Sequence, residues 1–171
     1  LPAARNDRES PLSPMEIRTD DDGWVFDGMD PLIADLFRLL PECAAPADED
    51  SRRRIFSSPT GGRDAEADQE WREQVEPEMR ELFRSHVDAV AADVSGIRRK
   101  GEFFTLSIPA GNAHVWIHTL NQARLALGAR HGITEGDLSG PHEHTGPKAF
   151  AILQVDFYGM ILGLLLSRTE I

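Results

Sequence analysis

The chain has 171 residues, of which 40% are hydrophobic and 27% are charged, and its formal net charge is −11. These proportions are those of an ordinary soluble globular protein, and the length suits one domain with a sizeable core. Most of the excess negative charge lies in residues 1–50, which contain 13 acidic and 4 basic residues. Such acidity repels the phosphate backbone that dominates nucleic-acid affinity, so we expect no nucleic-acid partner.

The first half of the chain begins with signals for a hairpin and a helix. Two β-prone runs on either side of Asp22-Gly23 predict the hairpin, because Asp-Gly is a strong turn signal. Asp30-Pro31 is a typical N-cap and first residue of a helix, and Pro41 marks the far limit of that helix. Residues 43–64 are predicted as loops with a short apolar anchor at Ile55-Phe56.

The rest of the chain predicts further helices and one more extended segment. These elements are a polar helix over 64–75, a helix from Pro77 to about Val94, a strand over 102–108, an amphipathic helix over 111–134 and an apolar helix after a loop at 134–147. The strand could pair with the hairpin. The predicted fold is therefore mainly α, a helical bundle of four to five helices with a small N-terminal β-hairpin or three-stranded sheet.

Domain organisation and location follow from a few local features. Residues 1–14 are polar and proline-rich, so we interpret them as a flexible arm or an upstream or expression segment, and residues 15–171 as a single helical domain. Cys43 is the only cysteine, which excludes an intrachain disulfide and a cysteine-based zinc site. A reducing compartment is consistent with this, and we expect a cytoplasmic protein.

The last helix raises the question of a membrane. Residues 149–166 are apolar and about as long as a short membrane-spanning helix, but Gln154 and Asp156 interrupt them. An aspartate near the centre of a span costs on the order of 2.5–3.5 kcal/mol on insertion scales. We therefore expect the buried C-terminal helix of a bundle and no membrane partner.

Two pairs of histidines could supply metal ligands. His114 and His118 are spaced i, i+4, which aims two imidazoles at one point, and His142 and His144 lie in a glycine- and proline-rich loop. The metalloprotease motif is absent because Val115 occupies the position of its glutamate. Helical histidine pairs are common, so we expect one of His114 and His118 to be exposed and the other to pack against the sheet. We expect an exposed polar loop around His142 and His144, and neither a metal nor a cofactor.

A polar seam is predicted between the last two long helices. Arg124 lies on the apolar stripe of its helix, and a buried guanidinium needs a carboxylate. Asp156, which lies among apolar residues, has the complementary need, so we expect the two to pair and fix the helix register. Asn121 belongs to the same seam. Gly159 and Gly163 have the spacing of close helix packing or of a self-association face.

One central motif has the form Leu-Asn-x-x-Arg-Leu-x-Leu-Gly, with Leu120, Asn121, Arg124, Leu125, Leu127 and Gly128 in its fixed positions. This motif and the order of elements resemble a bacterial domain-of-unknown-function family often encoded beside the ClpS-type adaptor (DUF2017-like). The likeness covers roughly residues 15–168, and Arg54-Ile55-Phe56 fits it, whereas residues 137–147 depart from it. The resemblance transfers no catalytic residue. It implies an association with regulated proteolysis.

The absence of a nucleotide-binding loop, a nucleophile elbow and a reactive-cysteine signature leads to a non-enzymatic hypothesis. We expect a helical interaction or regulatory protein that binds another protein, or a second copy of itself, through an apolar helix face. One alternative is a metal-dependent hydrolase that uses the histidines. The other is a transcriptional regulator, which the net charge disfavours.

Overall fold

The computed structural model describes residues 15–140 and 144–169. Residues 1–14, on which the flexible-arm expectation falls, lie outside the described residues. The strands are β1 (Glu16–Asp20), β2 (Gly23–Met29), β3 (Arg98–Lys100) and β4 (Phe103–Pro109). The helices are α1 (Pro31–Ala44), α2 (Glu49–Ile55), α3 (Ala65–Gln74), α4 (Glu76–Val94), α5 (Ala113–His131), α6 (Glu135–Ser139) and α7 (Gly146–Thr169).

The strands form one antiparallel sheet in the order β1-β2-β4-β3. The predicted hairpin and its pairing with the later strand are confirmed. Gly23 is required at their junction: its φ is 140°, and a Cβ there would lie 2.0 Å from the carbonyl oxygen of Ile108. The sheet has four strands rather than three, because the charged residues Arg98–Lys100 add an exposed edge strand. Such a strand has no apolar alternation by which a sequence pattern could reveal it.

Helix α5 lies at the centre of the fold and packs against α1, α2, α4 and α7. Trp116, Leu120 and Ala123 on this helix are fully buried. The large buried side chains of the sheet, among them Phe26 and Leu106, belong to the same core. Burial of this apolar surface is the main force that holds the helices and the sheet together.

The mainly helical fold class is confirmed, but the described residues contain seven helices rather than the four to five predicted. The two extra helices are short and polar, and their ends are capped by side chains. Asp48 accepts a hydrogen bond from the backbone of Ser51 at the start of α2, and Thr134 and Asp137 form a reciprocal capping box at the start of α6. Neither segment is long enough to display an apolar stripe, so both were predicted as loops.

Two further predictions concern Pro41 at the end of α1 and the apolar anchor Ile55-Phe56. Helix α1 continues through Pro41 to Ala44, so the predicted limit at Pro41 is wrong. Cys43 and Ala44 are buried in the core, and this packing favours the last turn in spite of the backbone hydrogen bond that a proline removes. The predicted anchor at Ile55-Phe56 is buried, and the Phe56 ring stacks on a phenylalanine of α4 with 5.4 Å between ring centroids.

Helix α7 is long and apolar enough over Gly146–Arg168 to cross a membrane, judged by length and composition alone. Half of its most apolar window is buried within the protein. Val155, Tyr158 and Ile161 are among its buried residues, and its main packing partner is α5. Helix α7 therefore supplies one wall of the core and leaves its other side exposed.

Candidate functional site

The family motif on α5 forms one wall of a pocket with a volume of about 400 Å³. Residues at i, i+3, i+4 and i+7 share one side of a helix, and four motif residues have this spacing. The other walls come from the end of α2, from α6 with the turn before it, and from α7. The lining residues are Arg54, Asn121, Arg124, Leu125, Gly128, Ala129, Ile133, Leu138 and Val155.

Arg124 is the most unusual group in this pocket. Its side chain is half-buried, and its Nε atom is buried without a hydrogen-bond partner among the described residues. The guanidinium rests against Gly159 of α7, where a Cβ would lie 3.3 Å from Nε. Close packing at this glycine therefore involves the arginine side chain, whereas Gly163 is exposed and nothing lies within 4 Å of its Cβ position.

The predicted ion pair between Arg124 and Asp156 is wrong. Asp156 is exposed, and among the described residues no ion pair joins it to Arg124. Consecutive residues of a helix lie about 100° apart around its axis. Because Val155 and Gly159 face α5, Asp156 is turned toward solvent. The seam therefore reduces to Asn121 and Arg124, which share the pocket, and Asn121 is itself exposed.

His114 and His118 face a third histidine, His86 of α4. The His86 ring stacks on His118 with 5.1 Å between centroids and meets His114 edge-on at 6.0 Å. His86 is 8% exposed, and its Nδ1 is buried without a hydrogen-bond partner in the part of the chain that the structure describes. Burial lowers the pKa of His86, and the nearby His118 and His114 lower it further.

The loop histidines do not join this cluster. His142 lies outside the described residues. The Nε2 atom of His144 is 2.8 Å from Asp137 Oδ1. Lys148, which contacts the same carboxylate, donates to the carbonyl of Gly132 at the far end of α5. At 1.5 Å per residue this end is roughly 20 Å or more from His118 and His114. No group of three metal-ligating side chains with suitable geometry occurs among the described residues.

One side of α7 exposes large apolar side chains. Phe150, Leu153 and Met160 are 40%, 43% and 49% exposed, and their spacing places them on one side of the helix. We refer to these three residues as the α7 face. Asp156 lies on the same side, and Arg168 near the end of the helix donates to Thr19 of β1. The exposed acidic turn after Thr19 therefore lies near the C-terminal end of α7, about two helical turns beyond Met160.

The sequence singled out Asn121 and Arg124 but gave no sign that Arg54 lines the same pocket. Arg54 lies 67 positions before Asn121, and only the packing of α2 on α5 brings them together. His86 was missed as well. It lies within the apolar stripe of α4, but a single histidine in such a stripe indicates neither its neighbours nor its burial.

Comparison with curated proteins and with solved structures gave no match. A family model described as a domain of unknown function (DUF2017) matches residues 7–168. The match spans nearly the whole chain and includes the α5 motif and Arg54-Ile55-Phe56, on which the resemblance was based. The chain therefore belongs to the DUF2017 family.

Proposed function

We propose that this protein is a non-enzymatic interaction protein that binds a partner protein through the α7 face. The observation that carries this proposal is the exposure of Phe150, Leu153 and Met160 in a helix whose other side is core. An apolar patch surrounded by polar residues is typical of a protein-binding surface. Three side chains are far fewer than the roughly 20–30 residues on each side of a stable interface, so neighbouring polar residues must contribute to binding.

The charges beside the α7 face define the chemistry of the partner. The exposed turn at Asp20–Asp22 lies near the C-terminal end of α7, and Asp156 adds a carboxylate between Leu153 and Met160 on the same side of the helix. A complementary surface has apolar side chains surrounded by lysine and arginine, which accelerate association and exclude acidic competitors. We therefore infer that the α7 face binds a surface of another protein that is apolar at its centre and basic around it.

Two other occupants are less favoured by the same charges. A second copy of this chain would bring together two molecules that each carry a net charge of −11. An anionic membrane surface would repel the acidic turn in the same way, since such surfaces attract basic segments. The expected location is the cytoplasm. Regulated proteolysis, implied by the family resemblance, makes a ClpS-type adaptor and its protease the first purified candidates.

The test compares partner capture by the full chain and by two matched variants. Leu153→Glu with Met160→Glu places charges on the α7 face, whereas Leu82→Glu alters a residue of α4 that is 51% exposed and lies away from that face. We expect one partner to be lost with the double variant and retained with Leu82→Glu. Binding of that partner, once purified, should weaken as salt is added and when Asp20, Asp21 and Asp22 become asparagine.

The competing outcomes are measured with the same variants. Sedimentation velocity reports self-association, and co-flotation with vesicles that contain anionic lipid reports membrane binding. The proposal is overturned if the double variant abolishes either of these instead, or if every captured protein binds the double variant as well as the original chain. Circular dichroism confirms that the variants retain their helices.

A further inference from the structure

We infer that the pocket between α2, α5, α6 and α7 is a binding site for a carboxylate with an apolar body. This inference is independent of the α7 face, which lies on another side of α7 from Val155. It depends on three observations: the charge of the pocket, the buried unpaired atom of Arg124, and the apolar character of the remaining walls.

The pocket is lined by two cations and no anion. Arg54 and Arg124 both lie in its wall, and none of the described lining residues is acidic. Neither arginine forms an ion pair with a described residue. By contrast Arg130, six residues further along α5, donates to Asp48 at 2.9 Å. Two guanidinium groups without ion-pair partners, together with the NH₂ group of Asn121, present donors from which an anion could accept.

Arg124 provides the second, independent observation. A buried donor that lacks an acceptor is costly, and most such groups in native proteins are paired. The Nε atom of Arg124 is buried and unpaired in the described part of the chain, and Gly159 supports the guanidinium from behind. Because Nε is enclosed by the protein, an anion in the pocket would accept from the terminal Nη atoms of Arg124, and guanidinium and carboxylate match in a two-point geometry.

The walls away from the arginines select a carboxylate with an apolar body over a free phosphate. Leu125, Ile133, Leu138 and Val155 contribute apolar surface, and Gly128 leaves open space because it has no side chain. The volume of about 400 Å³ falls in the range of about 300–1,000 Å³ typical of small-molecule sites. Two sources fit this chemistry: a free medium-length carboxylic acid, and the C-terminal carboxylate of a peptide that ends in an apolar residue.

The experiment measures binding of defined probes to the full chain by calorimetry and by NMR. The probes are hexanoate, 4-phenylbutyrate, acetyl-Ala-Ala-Leu with a free carboxylate, the same peptide as its amide, and inorganic phosphate. We expect a carboxylate to shift the Arg124 Nε–H resonance and the amides of Leu125 and Gly128. The amide and phosphate should bind at least about tenfold more weakly, because they lack either the charge or the apolar body.

The variants separate a binding role from a structural one. Arg124→Gln and Arg54→Gln should each weaken carboxylate binding by about tenfold or more, with partial recovery in Arg124→Lys. Gly128→Leu retains both charges and fills the open space, so it should block the apolar body. Arg52→Gln, on the exposed side of α2, is the matched control and should bind as the original chain does.

Each outcome decides something. Tighter binding of the free acids identifies a small-molecule site, and tighter binding of the peptide acid identifies a C-terminus as the source. The inference is overturned if the folded chain binds no carboxylate probe, if the peptide amide binds as well as the acid, or if Arg124→Gln and Gly128→Leu bind like Arg52→Gln. The α7-face double variant should bind these probes normally, so failure here leaves the proposed function untouched.

Discussion

The guanidinium of Arg124 packs directly on Gly159, and a methyl group there would require the arginine to shift by a few tenths of an ångström. A Cβ at Gly159 would lie 3.3 Å from Nε, 3.5 Å from Cζ and 3.6 Å from Nη2. The first of these contacts is tighter than ordinary van der Waals contact. Because Gly159 has no side chain, the guanidinium of Arg124 can lie against helix α7 at the pocket wall.

The first prediction compares two glycines on the same helix. Gly163→Ala should stabilise the protein by roughly 0.5–1 kcal/mol, because alanine favours the helix and nothing lies within 4 Å of the new Cβ. Gly159→Ala gains the same helix propensity but presses on Arg124, and overpacking typically costs about 1–3 kcal/mol. Urea unfolding should therefore show Gly159→Ala to be the less stable of the two, and the Arg124 Nε–H resonance should move only in that variant. Equal stabilities would contradict the close fit.

The second prediction concerns the histidine cluster and pH. Burial, together with His118 and His114, lowers the pKa of His86 from the value of 6.5 that it has when unperturbed. The unfolded chain therefore takes up a proton below about pH 6.5 that the folded chain refuses. The free energy of unfolding should fall as pH drops from about 6.5 toward the pKa of folded His86, and should be insensitive to this group above pH 6.5.

His86→Phe tests this by retaining a ring that can stack on His118 while removing the titrating group. Urea unfolding at several pH values between about 5 and 7.5 should show a shallower loss of stability in the variant than in the original chain. Asp48, whose pKa is lowered to about 2 by hydrogen bonds from Ser51 and Arg130, loses its contribution only at lower pH. His131→Gln, at the opposite end of α5, is the control. Its free energy of unfolding should fall with decreasing pH as steeply as that of the original chain.

A third prediction concerns the hydrogen bonds by which Asp93 of α4 holds the start of α5. Asp93 accepts a hydrogen bond from the indole Nε1 of fully buried Trp116 at 2.8 Å and another from Asn112 at 2.9 Å. Asp93→Ala leaves the indole N–H without a partner, which typically costs about 1–3 kcal/mol. Urea unfolding should show that loss, whereas Asp88→Ala, exposed on the same helix, should change stability little. A loss of the same size in both variants would show that the hydrogen bonds to Trp116 contribute nothing of their own.

The sequence predicts the helix caps of this fold and one of its strand pairings well. Asp30 caps α1 by accepting from the backbone of Ile33 at 2.8 Å, and Gly132 ends α5 with a φ of 57°. Each of these helix ends depends on residues that lie within a few positions of one another, so a short stretch of sequence is enough to predict it. The pairing of β4 with the hairpin was also predictable, because both have β-prone apolar residues and the sequence predicts no further strand with which either could pair.

The candidate sites depend on relations that no short stretch contains. Asp156 and Val155 differ by one position, and the 100° between them decides which of the two faces α5. Apolar content alone therefore placed Asp156 in the core, where the structure has Val155 instead. Similarly, the approach of Arg54 to Arg124 depends on how α2 packs against α5, and α2 itself is a seven-residue helix defined by its Asp48 cap. The pocket could be assembled only once that packing was known.

The last prediction concerns the single thiol. Cys43 is 7% exposed and accepts a hydrogen bond from Gln154 Nε2 at 3.2 Å, and burial raises the pKa of the thiol. A buried, protonated thiol is inert toward disulfide reagents, since the thiolate is the nucleophile. We expect the native chain to react with a thiol reagent only as fast as it opens, and the rate to rise steeply through the urea transition. Cys43→Ala with Ser85→Cys places the thiol at an exposed site of α4 and should react at once without urea. Rapid reaction of native Cys43 would show that α1 and α7 separate far more readily than their shared core implies.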